Sequence, residues 1–153
     1  MERKTKLITV AEIELVYTSS VSPLKRPEIT SSLGAYELLM NSWNLKKMEL
    51  VEQFKVLYLN TANRVLGLYQ LSSGGITGTV ADPRLVFAAA LKINAVSLIL
   101  CHNHPSGNLK PSIADEQLTQ KIKGAGQLLD IKVLDHLILT PYGYYSFADE
   151  GIL

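Results

Sequence analysis

Residues 95–115 read AVSLILCHNHPSGNLKPSIAD, an apolar run that ends in two histidines and continues as a turn-rich loop. The run over residues 95–100 is short, continuous and apolar, which predicts a buried strand. Successive side chains of a strand point to opposite faces, so His102 and His104 are expected to face the same side. Two imidazoles on one side can bind one shared ligand.

Asp115 lies just inside the next helical pattern and can add a carboxylate to this pair. Two histidines and one carboxylate form a ligand set that leaves a catalytic Zn2+ one open coordination position. The histidine pair alone is equally consistent with neutral core histidines that satisfy local hydrogen bonds. Ser112, with an acidic residue three positions later, also matches a helix-start signature. That signature explains Ser112 and Asp115 but not the histidines, whereas a metal site explains all four residues.

The spacing His-x-His, then seven residues, Ser, two residues and Asp resembles the JAMM motif of JAB/MPN metalloenzymes. HNHPSG at 102–107, LLDIKVLDHLIL at 128–139 and YYSFADEG at 144–151 resemble specifically the RadC-like branch of that superfamily. EQFKVLYLNTANRVLG at 52–67 and SSGGITGTVADPR at 72–84 extend the resemblance over nearly the whole chain.

The resemblance implies a fold and a cofactor. The implied fold is a three-layer α/β sandwich, similar to that of cytidine deaminases, with a mixed central sheet flanked by helices. The implied cofactor is one Zn2+ per chain, held by His102, His104 and Asp115. The implied activity is that of a metallopeptidase or isopeptidase, which hydrolyses an amide bond in a peptide or protein substrate.

Two further residues receive catalytic roles from the resemblance. Glu52 matches the upstream glutamate of the superfamily and would accept a proton from water and pass it to the leaving amine. Ser112 would donate a hydrogen bond to the oxyanion that forms at the attacked carbonyl. From the residues alone, Glu52 is instead a solvated charge at a helix end, like its neighbour Glu49.

The chain has 153 residues, of which 47% are hydrophobic, enough to bury one sizeable core and too few for two. We therefore expect a single domain, with an N-terminal strand and loop over residues 1–30 and the motif-bearing core over residues 31–153. Longer members of the family carry an N-terminal helix-hairpin-helix module, a common binder of DNA backbones. The residues before position 30 leave no room for it, which weakens a nucleic-acid role.

Fifteen basic and fourteen acidic residues give a net charge of +1. A near-neutral chain lacks the strong phosphate attraction of sequence-independent DNA binding, so only a local basic patch would suit nucleic acid. The polar residues 1–6 are unlike a signal peptide, and no apolar run approaches the roughly 18 residues that cross a bilayer. The lone cysteine, Cys101, fits a reducing compartment. The sequence predicts a cytoplasmic protein without membrane contact and leaves the oligomeric state open.

Strand and helix patterns alternate along the chain, which indicates a mixed α/β class. Residues 7–18 are predicted as an edge or early strand, and Ser31 or Ser32 as the cap of a helix that runs to Trp43. The other predicted elements are strands 54–60 and 64–71 of a hairpin, helix 83–93, strand 95–102, helix 113–129, strand 132–139 and strand 144–147.

Several other marked residues receive supporting roles. His136 follows Asp135 in a predicted strand, either as an imidazole that a carboxylate orients beside the metal ligands or as a core histidine paired locally. Alternation turns Cys101 and Asn103 away from the histidine side, which predicts a small core residue and an amide that hydrogen-bonds to the loop. The glycine-rich residues 72–79 lack phosphate-binding spacing and predict a strand bend or an edge along which substrate can pair.

Two other functions remain alternatives. One is a non-catalytic module, associated with DNA repair or nucleic-acid binding, that retains the motif as structure; the near-neutral charge argues against it. The other is a different hydrolase that uses metal-activated water, such as a deaminase or a phosphoesterase. Deaminases carry cysteine ligands in a PCxxC segment that is absent here, and phosphoesterases commonly use two metals. The sequence offers ligands for only one.

Overall fold

A computed structural model describes residues 9–74 and 81–153 of the chain. Its elements alternate between helices and strands of one sheet, as the α/β class requires. In chain order they are α1 (Ser32–Ser42), α2 (Leu45–Met48), β1 (Gln53–Leu59), β2 (Val65–Ser73), α3 (Pro83–Lys92), β3 (Ser97–Asn103), α4 (Ile113–Leu128), β4 (Lys132–Thr140) and β5 (Gly143–Ser146).

The five strands form one sheet in the order β2-β1-β3-β4-β5. Strands β3 and β4 are parallel, and the other neighbouring pairs are antiparallel. The parallel pair needs a long crossover, which α4 supplies between the two strands. The sheet is therefore mixed, and β3 lies at its centre with its carboxyl end leading into the turn-rich loop.

Helices cover both faces of the sheet, and β1 and β3 are therefore buried on both sides. On one face, Val56 and Leu100 pack with side chains of α3 and α4. On the other face, Leu57 and Cys101 pack with α1 and with Met48 of α2. The domain is thus the predicted three-layer α/β sandwich, and the continuous apolar run before the histidines is explained by burial on both faces.

Each main helix begins at a polar side chain that accepts a hydrogen bond from its first turn. Ser31 Oγ accepts the backbone N–H of Gly34 at 3.0 Å, and Asp82 Oδ1 accepts that of Arg84 at 2.9 Å. Such caps satisfy backbone donors that have no partner within the helix. The predicted start of α1 at Ser31 or Ser32 is confirmed.

The hairpin, the three longer helices and strands β3, β4 and β5 confirm the predicted elements to within a few residues. The predicted strand over residues 7–18 is wrong for residues 9–18, which form no regular element. Their apolar side chains, such as Ile13 at 88% exposure, have no sheet neighbour to cover them. Residues 7 and 8, and residues 75–80 of the glycine-rich segment, lie outside the described residues. Within the described ranges, no helix is long and apolar enough to cross a bilayer.

Two glycines of α4 offer a matched test of its packing. A Cβ atom at Gly126 would lie 2.3 Å from the carbonyl oxygen of Ile131, whereas one at Gly124 meets nothing within 4 Å. We expect Gly126→Ala to lower the free energy of unfolding by about 1–3 kcal/mol. Gly124→Ala should raise it by up to about 1 kcal/mol, because alanine favours the helix. Urea unfolding of both variants measures the two free energies. Equal effects would contradict the close contact between Gly126 and the Ile131 carbonyl.

Candidate metal centre

The two motif histidines leave the end of β3 on the same side, towards α4. His102 Nε2 and His104 Nε2 are 3.0 Å apart. Asp115, in the first turn of α4, places Oδ1 3.3 Å from His102 Nε2 and Oδ2 3.3 Å from His104 Nε2. Two imidazole nitrogens and a carboxylate therefore meet at one point, as the sequence spacing predicts.

Glu52 brings a second carboxylate to the same point. Antiparallel pairing of β1 with β3 sets Phe54 opposite His102, so Glu52, two residues earlier, falls beside His104. One carboxylate oxygen of Glu52 and one ring nitrogen of each histidine all lie within 4.8 Å of one another. These three residues alone could hold a metal ion. Glu52 is half-buried, so it is not the fully solvated charge that its local sequence suggests.

Asn103, between the two histidines, points to the opposite side and fixes the segment that carries Glu52. Its Oδ1 accepts the backbone N–H of Gln53 at 2.8 Å. Its Nδ2 donates to the carbonyls of Met48 at 2.7 Å and Val51 at 2.9 Å. The predicted orientation of Asn103 is confirmed, but its hydrogen-bond partners lie at and just before the start of β1 and not, as predicted, in the motif loop. One residue of β3 therefore ties the chain around Glu52 to the strand that carries the histidines.

The donor atoms suit a metal ion. His104 Nδ1 lies 2.6 Å from the carbonyl oxygen of Asn108. A carbonyl only accepts, so Nδ1 carries a proton, and in its neutral form the ring has the Nε2 lone pair free for a metal. An outer hydrogen bond of this kind is what metal-binding histidines usually make.

The electrostatics of the cluster also favour a cation. Burial would raise the pKa of Asp115, but hydrogen bonds with His102 and His104 and with the Ser112 backbone N–H hold it well below its ordinary value. Burial would lower the pKa of His104, but Asp115, the Asn108 carbonyl and the charge of Glu52 leave it raised. An ionised carboxylate and a histidine that prefers positive charge both indicate a negative potential at their meeting point.

Ser112 and Asp115 form the capping box that the sequence indicates. Ser112 Oγ accepts the Asp115 backbone N–H at 3.0 Å, and Asp115 Oδ2 accepts the Ser112 backbone N–H at 2.9 Å. The capping role and the position of Asp115 beside the histidines coexist, because the cap holds the Asp115 carboxylate in place. Ser112 is exposed, and its hydroxyl donates to none of the described residues.

His136 and Asp135 have separate surroundings. His136 Nε2 is 2.8 Å from His102 Nδ1, and its ring stacks on Phe147 with centroids 4.6 Å apart. Burial and the neighbouring His102 lower the pKa of His136 well below its ordinary value, so the ring is neutral. The Asp135 carboxylate does not orient that ring. It accepts the backbone N–H of His136 at 2.7 Å, the Ser146 hydroxyl at 2.6 Å and the backbone N–H of Ala148 at 3.0 Å, and so ties β4 to the turn after β5.

Thr119 is a site residue that sequence reasoning missed. Its hydroxyl lies 2.6 Å from His136 Nδ1 and 2.7 Å from the carbonyl oxygen of Asp115. The available signal was its spacing, since Thr119 follows Asp115 by four residues and so shares its helix face. Cys101 is not part of the site, because it is buried on the other face of the sheet, where burial raises the pKa of its thiol.

The fold and the cluster together define a class: a three-layer α/β domain with a histidine–carboxylate centre able to hold a metal ion. A family model described as "RadC-like JAB domain" matches residues 29–152. The chain belongs to the RadC-like JAB domain family, as the motif and its flanking segments predict.

Curated relatives agree with this family assignment. A UPF0758 protein of Flavobacterium johnsoniae is 55% identical over 130 residues, which cover 84% of this chain and 55% of that protein. UPF0758 protein STH371 of Symbiobacterium thermophilum is 36% identical over 149 residues, covering 97% of this chain and 62% of the relative. UPF0758 protein YfjY of Escherichia coli K12 is 47% identical over 102 residues, 67% of this chain and 64% of the relative. The chain therefore spans between half and two thirds of the length of these relatives.

Proposed function

We propose that this domain is a zinc-dependent hydrolase that cleaves an amide bond in a peptide or protein by attack of water. The observation that carries the proposal is the convergence of His102, His104 and two carboxylates at one point on the sheet. Two histidines, a carboxylate and an open position are the ligand pattern of catalytic zinc sites. The substrate class follows from the JAB family and not from a pocket in the described residues.

We assign the two carboxylates different roles. Asp115 is the ligand, because its two oxygens face the two Nε2 atoms at 3.3 Å each and its ionised form is favoured. Glu52 is the general base, because it reaches the same point from the start of the neighbouring strand β1, and Asp115 already supplies the carboxylate that faces both Nε2 atoms. A bound zinc ion would lower the pKa of a coordinated water to near 7. The Glu52 carboxylate would take a proton from the attacking water and return it to the leaving amine.

The first experiment counts bound metal. We expect about one zinc per chain in the wild-type protein, purified without chelators and supplied with zinc, and about none in the His102→Ala/His104→Ala double variant. Elemental analysis of both proteins measures the ratio, and circular dichroism establishes that the variant is folded. If wild type takes up no zinc even when it is supplied, the hydrolase proposal fails and the motif is architecture in this chain.

A further inference from the structure

The described residues contain a chain of buried hydrogen bonds that begins at His102 and ends on the backbone of α4. His102 Nδ1 meets His136 Nε2 at 2.8 Å, and His136 Nδ1 meets the Thr119 hydroxyl at 2.6 Å. The Thr119 hydroxyl in turn meets the carbonyl oxygen of Asp115 at 2.7 Å. His102 is 1% exposed, and both His136 and Thr119 are 0% exposed. Bulk water therefore does not compete for these bonds.

The last contact sets the direction of every bond in this chain. Two oxygen atoms 2.7 Å apart repel unless a proton lies between them, and a carbonyl has none to give. The Thr119 hydroxyl therefore donates to Asp115 and has only lone pairs left for His136. Hence His136 carries its proton on Nδ1 and presents a bare Nε2 to His102.

The same reasoning continues into the metal ligand. A bare His136 Nε2 must accept, so His102 Nδ1 carries a proton and donates it. The neutral His102 ring then has its lone pair on Nε2, the atom that faces His104 and Asp115. If the Thr119 proton pointed to His136 instead, every bond would reverse and a proton would occupy His102 Nε2.

We propose that Thr119 and His136 are positioning residues that fix the tautomer of His102 and thereby leave its Nε2 open to zinc. The inference rests on the proposed metal-binding function. Both histidine ligands then have an outer hydrogen bond from Nδ1. His104 donates directly to a backbone carbonyl, and His102 is connected to a backbone carbonyl through the side chains of His136 and Thr119. Asp115 serves the site twice, because its carboxylate faces the metal position and its carbonyl ends the relay.

Aromatic packing holds the relay in place. His136 lies between Phe147, stacked at 4.6 Å, and Phe54, edge-on at 5.6 Å, and Phe54 also stacks on His102 at 5.7 Å. These contacts restrict rotation of both imidazoles, so the tautomers are set by hydrogen bonds and not by a flip of either ring. Removing the Thr119 hydroxyl while keeping its shape should therefore disturb the protons and leave the packing intact.

The test compares Thr119→Val, which lacks the hydroxyl, with Thr119→Ser, which keeps it. Zinc affinity, measured by competition with a chromophoric chelator, should fall by about 10–100-fold in Thr119→Val, as for other outer partners of metal ligands. Thr119→Ser should bind close to wild type. Equal affinities of wild type and Thr119→Val would overturn the inference, and so would equal losses in both variants.

A second measurement reads the tautomers without metal. The chain has three histidines, so the nitrogen-15 NMR spectrum of the metal-free protein, without a histidine tag and at mildly alkaline pH, is readily assigned. We expect a proton on Nδ1 of both His102 and His136 and a bare Nε2 in His136, the three positions that the relay determines. A proton on Nε2 of His136 would overturn the relay even if Thr119→Val fails to fold. Expected tautomers in a protein that takes up no zinc would support the relay and refute the proposed function, which separates the two failures.

Discussion

Replacing Glu52 with glutamine is expected to lower kcat by about 100- to 10,000-fold while about one zinc stays bound per chain. Glutamine has nearly the same shape as glutamate but cannot accept the proton of the attacking water. Because the chain around Glu52 is fixed by Asn103 through three hydrogen bonds, the substituted side chain should remain at the same position. The loss should therefore appear in turnover and not in folding or in zinc affinity.

The same variant tests which carboxylate binds the metal. Glu52 is close enough to both histidines to be a ligand itself. If Glu52→Gln loses zinc and Asp115→Asn retains it, the roles assigned here are exchanged. Glu49, an exposed carboxylate that accepts a hydrogen bond from Tyr142 at 3.3 Å, provides the matched control. Glu49→Gln should change neither zinc content nor the rate on an amide substrate that wild type cleaves.

The sequence predicted the centre of the fold well because its signals there are local. The apolar run before His-x-His predicts a buried strand. Alternation along that strand places His102 and His104 on one face and Asn103 on the other. The helix start at Ser112 is equally local, since its capping box lies within four residues. The spacing between the histidines and this helix start therefore predicted that Asp115 lies beside them.

The parts that the sequence did not predict depend on contacts between distant segments. Thr119 and His136 are 17 residues apart, and nothing in either local pattern shows that a hydroxyl on α4 meets an imidazole on β4. The Asp135–His136 pair suggested an oriented imidazole, but β4 alternation turns the carboxylate to the other face. Residues 9–18 have strand-like composition, yet they form no ladder with the edge strand β2. The start of that edge bonds instead to a later segment, since the Val65 backbone N–H donates to the Pro27 carbonyl at 2.9 Å.

Replacing Ser112 with alanine is expected to lower kcat by about 100- to 1,000-fold if its hydroxyl stabilises the oxyanion, the role that the resemblance to JAMM enzymes implies. The same change removes a helix cap, which by itself costs only about 1 kcal/mol of stability. The two roles differ in the atoms they need. Capping uses the oxygen, which accepts the Asp115 backbone N–H at 3.0 Å, whereas the oxyanion needs the hydroxyl proton.

A set of three substitutions separates these roles. Ser112→Ala loses the cap and the donor; Ser112→Asp keeps a good cap but has no proton to donate; Ser112→Asn keeps a cap and offers an amide N–H. If the oxyanion role holds, kcat should be low in Ser112→Ala and Ser112→Asp and partly restored in Ser112→Asn, although Ser112→Asp unfolds at a denaturant concentration near that of wild type. Wild-type turnover in Ser112→Asp would show that Ser112 only caps the helix and does not donate to the oxyanion. Zinc content must be equal in all three proteins, because the cap also holds the Asp115 carboxylate. In a variant that loses zinc, a lower kcat would reflect a displaced Asp115 and not the loss of an oxyanion donor.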